Sequence, residues 1–367
     1  MSATSQNPLL GLDFQQLSSF VQQHKEPEYR ARQLFDAIYL QRLPSLDLIS
    51  TLPKRFRAEL RDQGIEVGQP SIQKSFRSVD GTIRYLTAMS DGETVETVWM
   101  PEGDGGEAAD GSEAGDESSE TGFDRATICV SSQVGCAVNC QFCLTAQLGI
   151  KRNLTAGEIV GQVISVLNDR TVEMERQRIN IVFMGMGEPF LNYSEFMKAV
   201  RLLVEGVGFS ELRMTVSTSG IVPRIYDFGA ESVRPKLAIS LNASNDQLRE
   251  RIMPLNRKWN LEMLMQAARD FPLRNRERIT FEYVLLRDFN DQREHARQMV
   301  ELLRGIRCKV NLIALNPGPG VSFATPEEQQ VHDFQQQLIT AGIPAFIRRP
   351  RGRDIYAACG QLKRTVT

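Results

Sequence analysis

The sequence predicts an α/β protein: a parallel sheet with helices outside it, preceded by a small helical region and a short antiparallel β segment. Two observations carry this. After Arg125, short apolar runs rich in Val, Ile and Leu alternate with longer amphipathic runs for more than 200 residues, the pattern of βα units. Before it, apolar positions recur at helical spacing to about residue 68, and then the period changes to two. Six βα units leave two architectures open, a doubly wound sheet and an incomplete barrel. In both, chemistry sits at the C-terminal strand ends.

Composition bounds the rest. The 367 residues are 41% hydrophobic and 24% charged, which is ordinary for a globular protein with a sizeable core. No run of about 18 apolar residues is present, so no membrane span is expected. The polar residues 1–8 lack a signal-peptide core, which points to the cytoplasm. In that reducing compartment the six cysteines read as metal ligands or reactive thiols rather than disulfides. The net charge of −2 conceals a segregation: residues 102–124 hold nine acids, six glycines and no Lys or Arg. Without them the chain carries 43 basic and 36 acidic residues, a balance that permits nucleic-acid binding.

Taken in order, residues 1–70 form the helical region, with Leu34, Phe35, Ile38 and Tyr39 at helical spacing and Pro44 and Pro53 as breaks. Residues 71–101 contain three short antiparallel strands, turned at Asp80-Gly81 and Asp91-Gly92. The acidic stretch 102–124 cannot bury a core and reads as a disordered insertion. In the core, 125–348, strands are expected at 126–130, 179–184, 213–217, 236–241, 279–285 and 309–314. Helices are expected at 156–167, 193–204, 261–271, 292–303 and 326–341. Residues 349–367 form a tail. No internal repeat is visible.

Directly after the first core strand stands Cys136-Ala-Val-Asn-Cys140-Gln-Phe-Cys143. Three thiolates at this spacing can wrap one side of an iron–sulfur cluster, and no fourth cysteine follows nearby, which leaves one iron open. Structural zinc wants four ligands, commonly as two spaced pairs; here the next His is His295 and Cys129 lies on the preceding strand. A second motif, Met184-Gly185-Met186-Gly187-Glu188-Pro189, ends the second core strand with a carboxylate in a glycine-rich turn. Ser217-Thr218-Ser219-Gly220, Ser240-Leu241-Asn242 and Asn316-Pro317-Gly318 end three later strands.

The cysteine spacing, with aromatic Phe142 before the last cysteine, resembles the signature of the radical S-adenosylmethionine enzymes. The resemblance implies an incomplete (β/α)6 TIM-like barrel. It implies one [4Fe-4S] cluster on Cys136, Cys140 and Cys143, whose open iron chelates S-adenosylmethionine and whose electron yields a 5′-deoxyadenosyl radical. It also places Gly187 and Glu188 at the methionine amino group, Ser217, Ser240, Leu241 and Asn242 along the methionine and ribose parts, and Asn316 at the adenine.

Two further thiols narrow the class. Cys129 sits in Thr127-Ile128-Cys129-Val130-Ser131-Ser132-Gln133-Val134-Gly135-Cys136, and Cys359 in Asp354-Ile355-Tyr356-Ala357-Ala358-Cys359-Gly360-Gln361-Leu362. With Val95-Glu96-Thr97-Val98 and Glu282-Tyr283-Val284, these stretches resemble the RlmN/Cfr family of RNA methyltransferases over nearly the whole chain. Asn242 stands where relatives commonly have His.

The family mechanism would make Cys359 the acceptor of a methyl from a first S-adenosylmethionine. A radical from a second would abstract hydrogen from that methyl, and the resulting methylene radical would add to carbon 2 of adenine. Cys129 would then resolve the protein–RNA thioether by forming a transient disulfide, with Glu96 as proton acceptor. The implied partners are the peptidyl-transferase loop of 23S rRNA, the tRNA adenosine at position 37, just 3′ of the anticodon, and an electron donor such as flavodoxin. No membrane is involved and the chain would act as a monomer. Arg348, Arg349, Arg351 and Arg353 would hold phosphates. Three other readings stay open: methylation at carbon 8 of the same rRNA, a radical enzyme acting on protein or a small molecule, and a non-catalytic RNA-binding module.

Overall fold

A computed structural model describes residues 7–101 and 125–364. The acidic stretch 102–124 lies outside them. The helical region contains α1 (Phe14–Gln23), α2 (Tyr29–Phe35) and α3 (Lys54–Asp62). Asp13 opens α1 with a capping box: its side chain takes the Gln16 N–H, and Gln16 returns the bond to the Asp13 N–H. Such a cap contributes about 1 kcal/mol. Leu17, Val21, Phe56 and Leu60 face inward and join the core of the sheet domain. A two-residue parallel pairing, Asn7–Pro8 with Ile65–Glu66, ties the ends of the region together.

The main sheet has ten strands: β1 (Ser71–Arg77), β2 (Ile83–Ala88), β3 (Thr94–Pro101), β4 (Arg125–Cys129), β5 (Arg178–Phe183), β6 (Met214–Thr218), β7 (Lys236–Ser240), β8 (Ile279–Leu285), β9 (Cys308–Ala314) and β10 (Ala345–Ile347). They lie side by side in sequence order. β4 to β10 run parallel, and β1 to β4 are antiparallel. A doubly wound sheet reverses its strand order at a switch point. This order has none, so the sheet is of the barrel type, and it stays open: among the described residues β10 and β1 do not pair.

Two sequence expectations change. The parallel part has a seventh strand, β10, beyond the six foreseen. The antiparallel strands 71–101 are not a separate segment; they extend the same sheet, with Val98 opposite Cys129 and Trp99 opposite Ile128. Their turns form at the two Asp-Gly pairs, where Gly81 and Gly92 take positive φ and each Asp side chain accepts the N–H two residues on.

The helices are α4 (Ala156–Asp169), α5 (Tyr193–Leu202), α6 (Val222–Ala230), α7 (Asp246–Ile252), α8 (Leu261–Asp270), α9 (Arg293–Leu303) and α10 (Glu328–Thr340). α4 is buried along almost its whole surface because the N-terminal chain lies across it. A Cβ on Gly157 would stand 2.2 Å from the Leu10 carbonyl oxygen, so only glycine admits that approach. Gln162 of α4, fully buried, takes N–H and O–H bonds from Ser131 and Thr97 and donates to the Ser131 carbonyl, which pins the chain leaving β4. No helix among the described residues is long and apolar enough to cross a membrane.

Candidate active site

The loops after β4 to β9 meet in one cleft of ≈ 960 Å³, including the part open to solvent. This is the C-terminal edge of the parallel strands, where α/β folds of either kind place ligands.

The cysteine loop leaves β4 through a small hairpin, Gln133–Gly135 against Ile150–Asn153, which closes its base. Cys136 N–H donates to the Gly149 carbonyl (3.0 Å), Cys143 N–H to the Cys140 carbonyl (3.1 Å) and Gln141 N–H to the Ile252 carbonyl (2.9 Å). Cys136, Cys140 and Cys143 all line the cleft. Burial pushes the Cys136 thiol up to about 12 and the Cys140 thiol well above its usual range, and the neighbouring thiols add to both. Among the described residues no three His, Cys, Asp or Glu side chains converge on a point suited to a single ion. Three thiols from one loop on the cleft wall are a donor set that fits an iron–sulfur cluster.

Opposite the cysteines lies Glu188, buried at the end of β5. Its Oε2 accepts the Ser219 N–H (2.7 Å) and hydroxyl (2.6 Å), its Oε1 the Phe190 N–H (3.0 Å). Burial still pushes its carboxyl up, which those bonds offset only in part. Gly187 has φ +101°, and a Cβ there would stand 2.6 Å from Gln133 Cβ. Ser217 Oγ lies 3.2 Å from Ser240 Oγ and donates to Glu282 Oε2 (2.7 Å). Asn242, at φ +57°, accepts the Val284 N–H (2.9 Å); Asn tolerates that conformation better than most residues. Ser217, Ser240, Asn242 and Asn316 line the cleft; Leu241 does not, its side chain being fully buried in the core.

The C-terminal tail returns over this cleft. Gly360 accepts the Leu144 N–H (2.7 Å), and Thr145 Oγ1 donates to the Leu362 carbonyl (2.7 Å). This brings Cys359 to the cleft wall. Its side chain is exposed, yet the space it faces is the cleft, and the surrounding protein pushes its thiol up to about 11, with Glu282 adding to the effect. Cys129, buried at the end of β4, is pushed well up by burial and further by nearby Cys359. The two lone thiols, 230 positions apart in the chain, therefore face one another's field.

Glu96, like Leu241, stands outside the cleft wall. Its side chain is fully buried on β3, ion-paired with Arg84 of β2, and its Oε2 accepts the Lys363 N–H (2.8 Å). The role of proton acceptor would need one of these oxygens turned toward the reacting atoms; in this structure Oε1 is taken by Arg84 and Oε2 by the tail. Conversely, three residues have parts in the site that sequence reading did not single out, although it quoted the motifs of the first two. Ser219 holds Glu188. Glu282 lies in the cleft between Ser217 and Cys359. Arg249, fully buried, donates to the carbonyls of Ser219 (2.6 Å), Ser240 (3.2 Å) and Leu241 (3.0 Å), fixing two strand ends at once.

Comparison with known proteins places this architecture. Residues 130–300 match the Radical SAM superfamily, and residues 7–65 match the ribosomal RNA large subunit methyltransferase N-terminal domain. The "Probable dual-specificity RNA methyltransferase RlmN" of Koribacter versatilis is 64% identical over 93% of this chain and 97% of its own. The dual-specificity RNA methyltransferase RlmN of Syntrophobacter fumaroxidans is 45% identical over 95% of each chain. The crystal structure of a radical SAM methyltransferase from Sphaerobacter thermophilus superposes with a TM-score of 0.87 at 41% identity, covering 98% of this chain and 99% of that one. Membership of this superfamily brings a [4Fe-4S] cluster and S-adenosylmethionine with it. The chain belongs to the RlmN family of dual-specificity, radical SAM RNA methyltransferases.

Proposed function

We propose that the protein methylates carbon 2 of an adenine in the peptidyl-transferase loop of 23S rRNA and of the adenosine 3′ of the tRNA anticodon, with Cys359 as methyl carrier and two S-adenosylmethionine molecules per turnover. The observation that carries this reading is Cys359 on the wall of the cleft that the three loop cysteines line, with Cys129 buried behind it at the end of β4, near enough for the two thiols to feel each other's charge. A cluster held by Cys136, Cys140 and Cys143 would supply the electron that turns S-adenosylmethionine into a hydrogen-abstracting radical.

The chain's own residues do the rest. Glu188, preorganised by Ser219, offers a carboxylate to the cofactor's ammonium group, and Gly187 lets backbone approach it. Ser217, Ser240, Asn242 and Asn316 line the same cleft and offer hydroxyl and amide groups to the rest of the cofactor. Cys359 takes a methyl group on sulfur. Once hydrogen has been removed from that methyl, its carbon bonds to the electron-poor adenine carbon. The adduct gives up its unpaired electron and the proton of carbon 2 to restore the aromatic ring. Cys129, as a thiolate, then attacks the Cys359 sulfur, and the sulfur–carbon bond breaks as a disulfide forms. The freed carbon takes up a proton to complete the methyl group, and an external thiol reductant returns the disulfide to thiols. Adenine reaches such a site from a loop, where a base is splayed out. Nucleoside mass spectrometry of rRNA and tRNA from a deletion strain tests the reading. It predicts loss of 2-methyladenosine from both RNAs and its return with the intact gene; unchanged 2-methyladenosine contradicts it.

A further inference from the structure

We propose that Glu96 is a positioning residue: paired with Arg84, its carboxylate holds the backbone of Lys363 and so keeps Cys359 turned into the cleft. The inference rests on the reading of Cys359 as methyl carrier. The tail is anchored on both sides of that thiol by the antiparallel strands. Upstream, Gly352 N–H donates to Asp80 Oδ2 (2.8 Å), and Ser78 Oγ donates to Asp354 Oδ1 (2.5 Å). Downstream, Lys363 N–H donates to Glu96 Oε2 (2.8 Å), and Arg364 donates to Glu93 Oε2 (2.8 Å).

These anchors differ in kind. Asp80, Asp354 and Glu93 are exposed or half-buried, so water competes for their bonds. Glu96 and Arg84 are 0% and 1% exposed, and a charge-assisted bond made away from water is the stronger kind. Glu96 is itself held at side chain and backbone: Arg84 donates to Oε1, and the Glu96 backbone carbonyl accepts the Ser131 hydroxyl (2.6 Å), next to the chain leaving β4. Lys363 follows Cys359 by four residues, a span of about 14 Å even when extended. A clamp there restricts where the thiol can point, and it registers the tail against the strand that carries Cys129.

The test uses three variants of the cluster-loaded enzyme. Lys363→Pro removes the N–H that Glu96 accepts while leaving the Glu96–Arg84 pair intact. Lys363→Ala loses the same ammonium group but keeps the N–H. Glu96→Ala removes the acceptor; should the buried Arg84 left behind unfold it, the two Lys363 variants decide alone. Two quantities are read without RNA: hydrogen exchange at the Leu144 amide, which is bonded to Gly360, and the rate at which S-adenosylmethionine methylates Cys359, by mass spectrometry. Relative to Lys363→Ala, Lys363→Pro is expected to raise the exchange rate and lower the methylation rate, each about tenfold. Glu96→Ala is expected to shift both the same way relative to the unaltered enzyme. A proton acceptor acting on RNA would leave both quantities unmoved. If Lys363→Pro matches Lys363→Ala in either quantity, the clamp is overturned. If the unaltered enzyme never carries a methyl on Cys359, the carrier reading fails, and the exchange data still decide whether Glu96 holds the tail.

Discussion

The parallel strands and the antiparallel extension serve one thiol by different means. β5 to β9 end in short polar stretches that face the cleft, whereas no residue of β1 to β3 lines it. The extension instead grips the tail at Asp80, Glu93 and Glu96, and so brings Cys359 to a cleft that the other half has built. Chemistry is thus local to strand ends, while placement of the mobile reactant depends on strands that never touch it. Substitutions in the first region should abolish steps outright, and those in the second should slow them.

The largest effect is expected in the cysteine loop. Changing Cys136, Cys140 or Cys143 to Ala should remove both the iron chromophore and 5′-deoxyadenosine formation; stoichiometric iron in any one variant would break the three-ligand assignment. Next comes Glu188→Ala, which deletes the carboxylate and leaves the Ser219 and Phe190 N–H groups without their acceptor. A charged hydrogen-bonding group of this kind contributes about 3 kcal/mol, so S-adenosylmethionine affinity by calorimetry should fall about a hundredfold.

Gly187→Ala is a smaller perturbation of the same wall. It forces a side chain at φ +101° and against Gln133, which costs about 1–3 kcal/mol. A thermal midpoint lowered by several degrees, with weaker cofactor binding, is the expected outcome. The smallest effect belongs to the extension. Burial disfavours ionised Asp80, but N–H bonds from Gly352 and Thr82 outweigh it and hold its carboxyl below the usual range. That anchor is therefore intact above about pH 4 and weakens as pH falls through the lowered value. Protection of the Gly352 amide should decline with acid in the unaltered protein. Asp80→Asn should lose under about 1 kcal/mol and show a flatter dependence.

The same contrast explains what could be read in advance. β4 to β9 were visible because each is a run of five or more residues, most of them apolar or β-branched, and the cysteine loop because its ligand spacing is confined to eight positions. β10 has three residues, too few for a period to appear, and α6 was hidden by Pro223 near its start and Gly229 near its end. Barrel-type strand order is a property of pairing, which no single segment records, so the residue pattern left the doubly wound alternative open and only the family resemblance pointed to the barrel. Glu282 looked like any acid alternating in a strand. The bonds of Glu96 were hidden for a related reason: its surroundings depend on a hairpin partner twelve residues away and on a tail 267 residues away.

The central claim is that Cys359 carries the methyl group and Cys129 only releases the product. With iron content matched, each is changed to Ala and incubated with S-adenosylmethionine, reductant and substrate RNA, then run on a denaturing gel. Cys359→Ala should give neither methylated RNA nor any covalent species. Cys129→Ala should accumulate RNA bound covalently to protein, seen as a shifted band that nuclease removes. Two thiols that merely fill the structure would yield partly unstable enzymes with residual methylation and no shifted band. Absence of the adduct in iron-replete Cys129→Ala protein would contradict the division of labour between the two thiols.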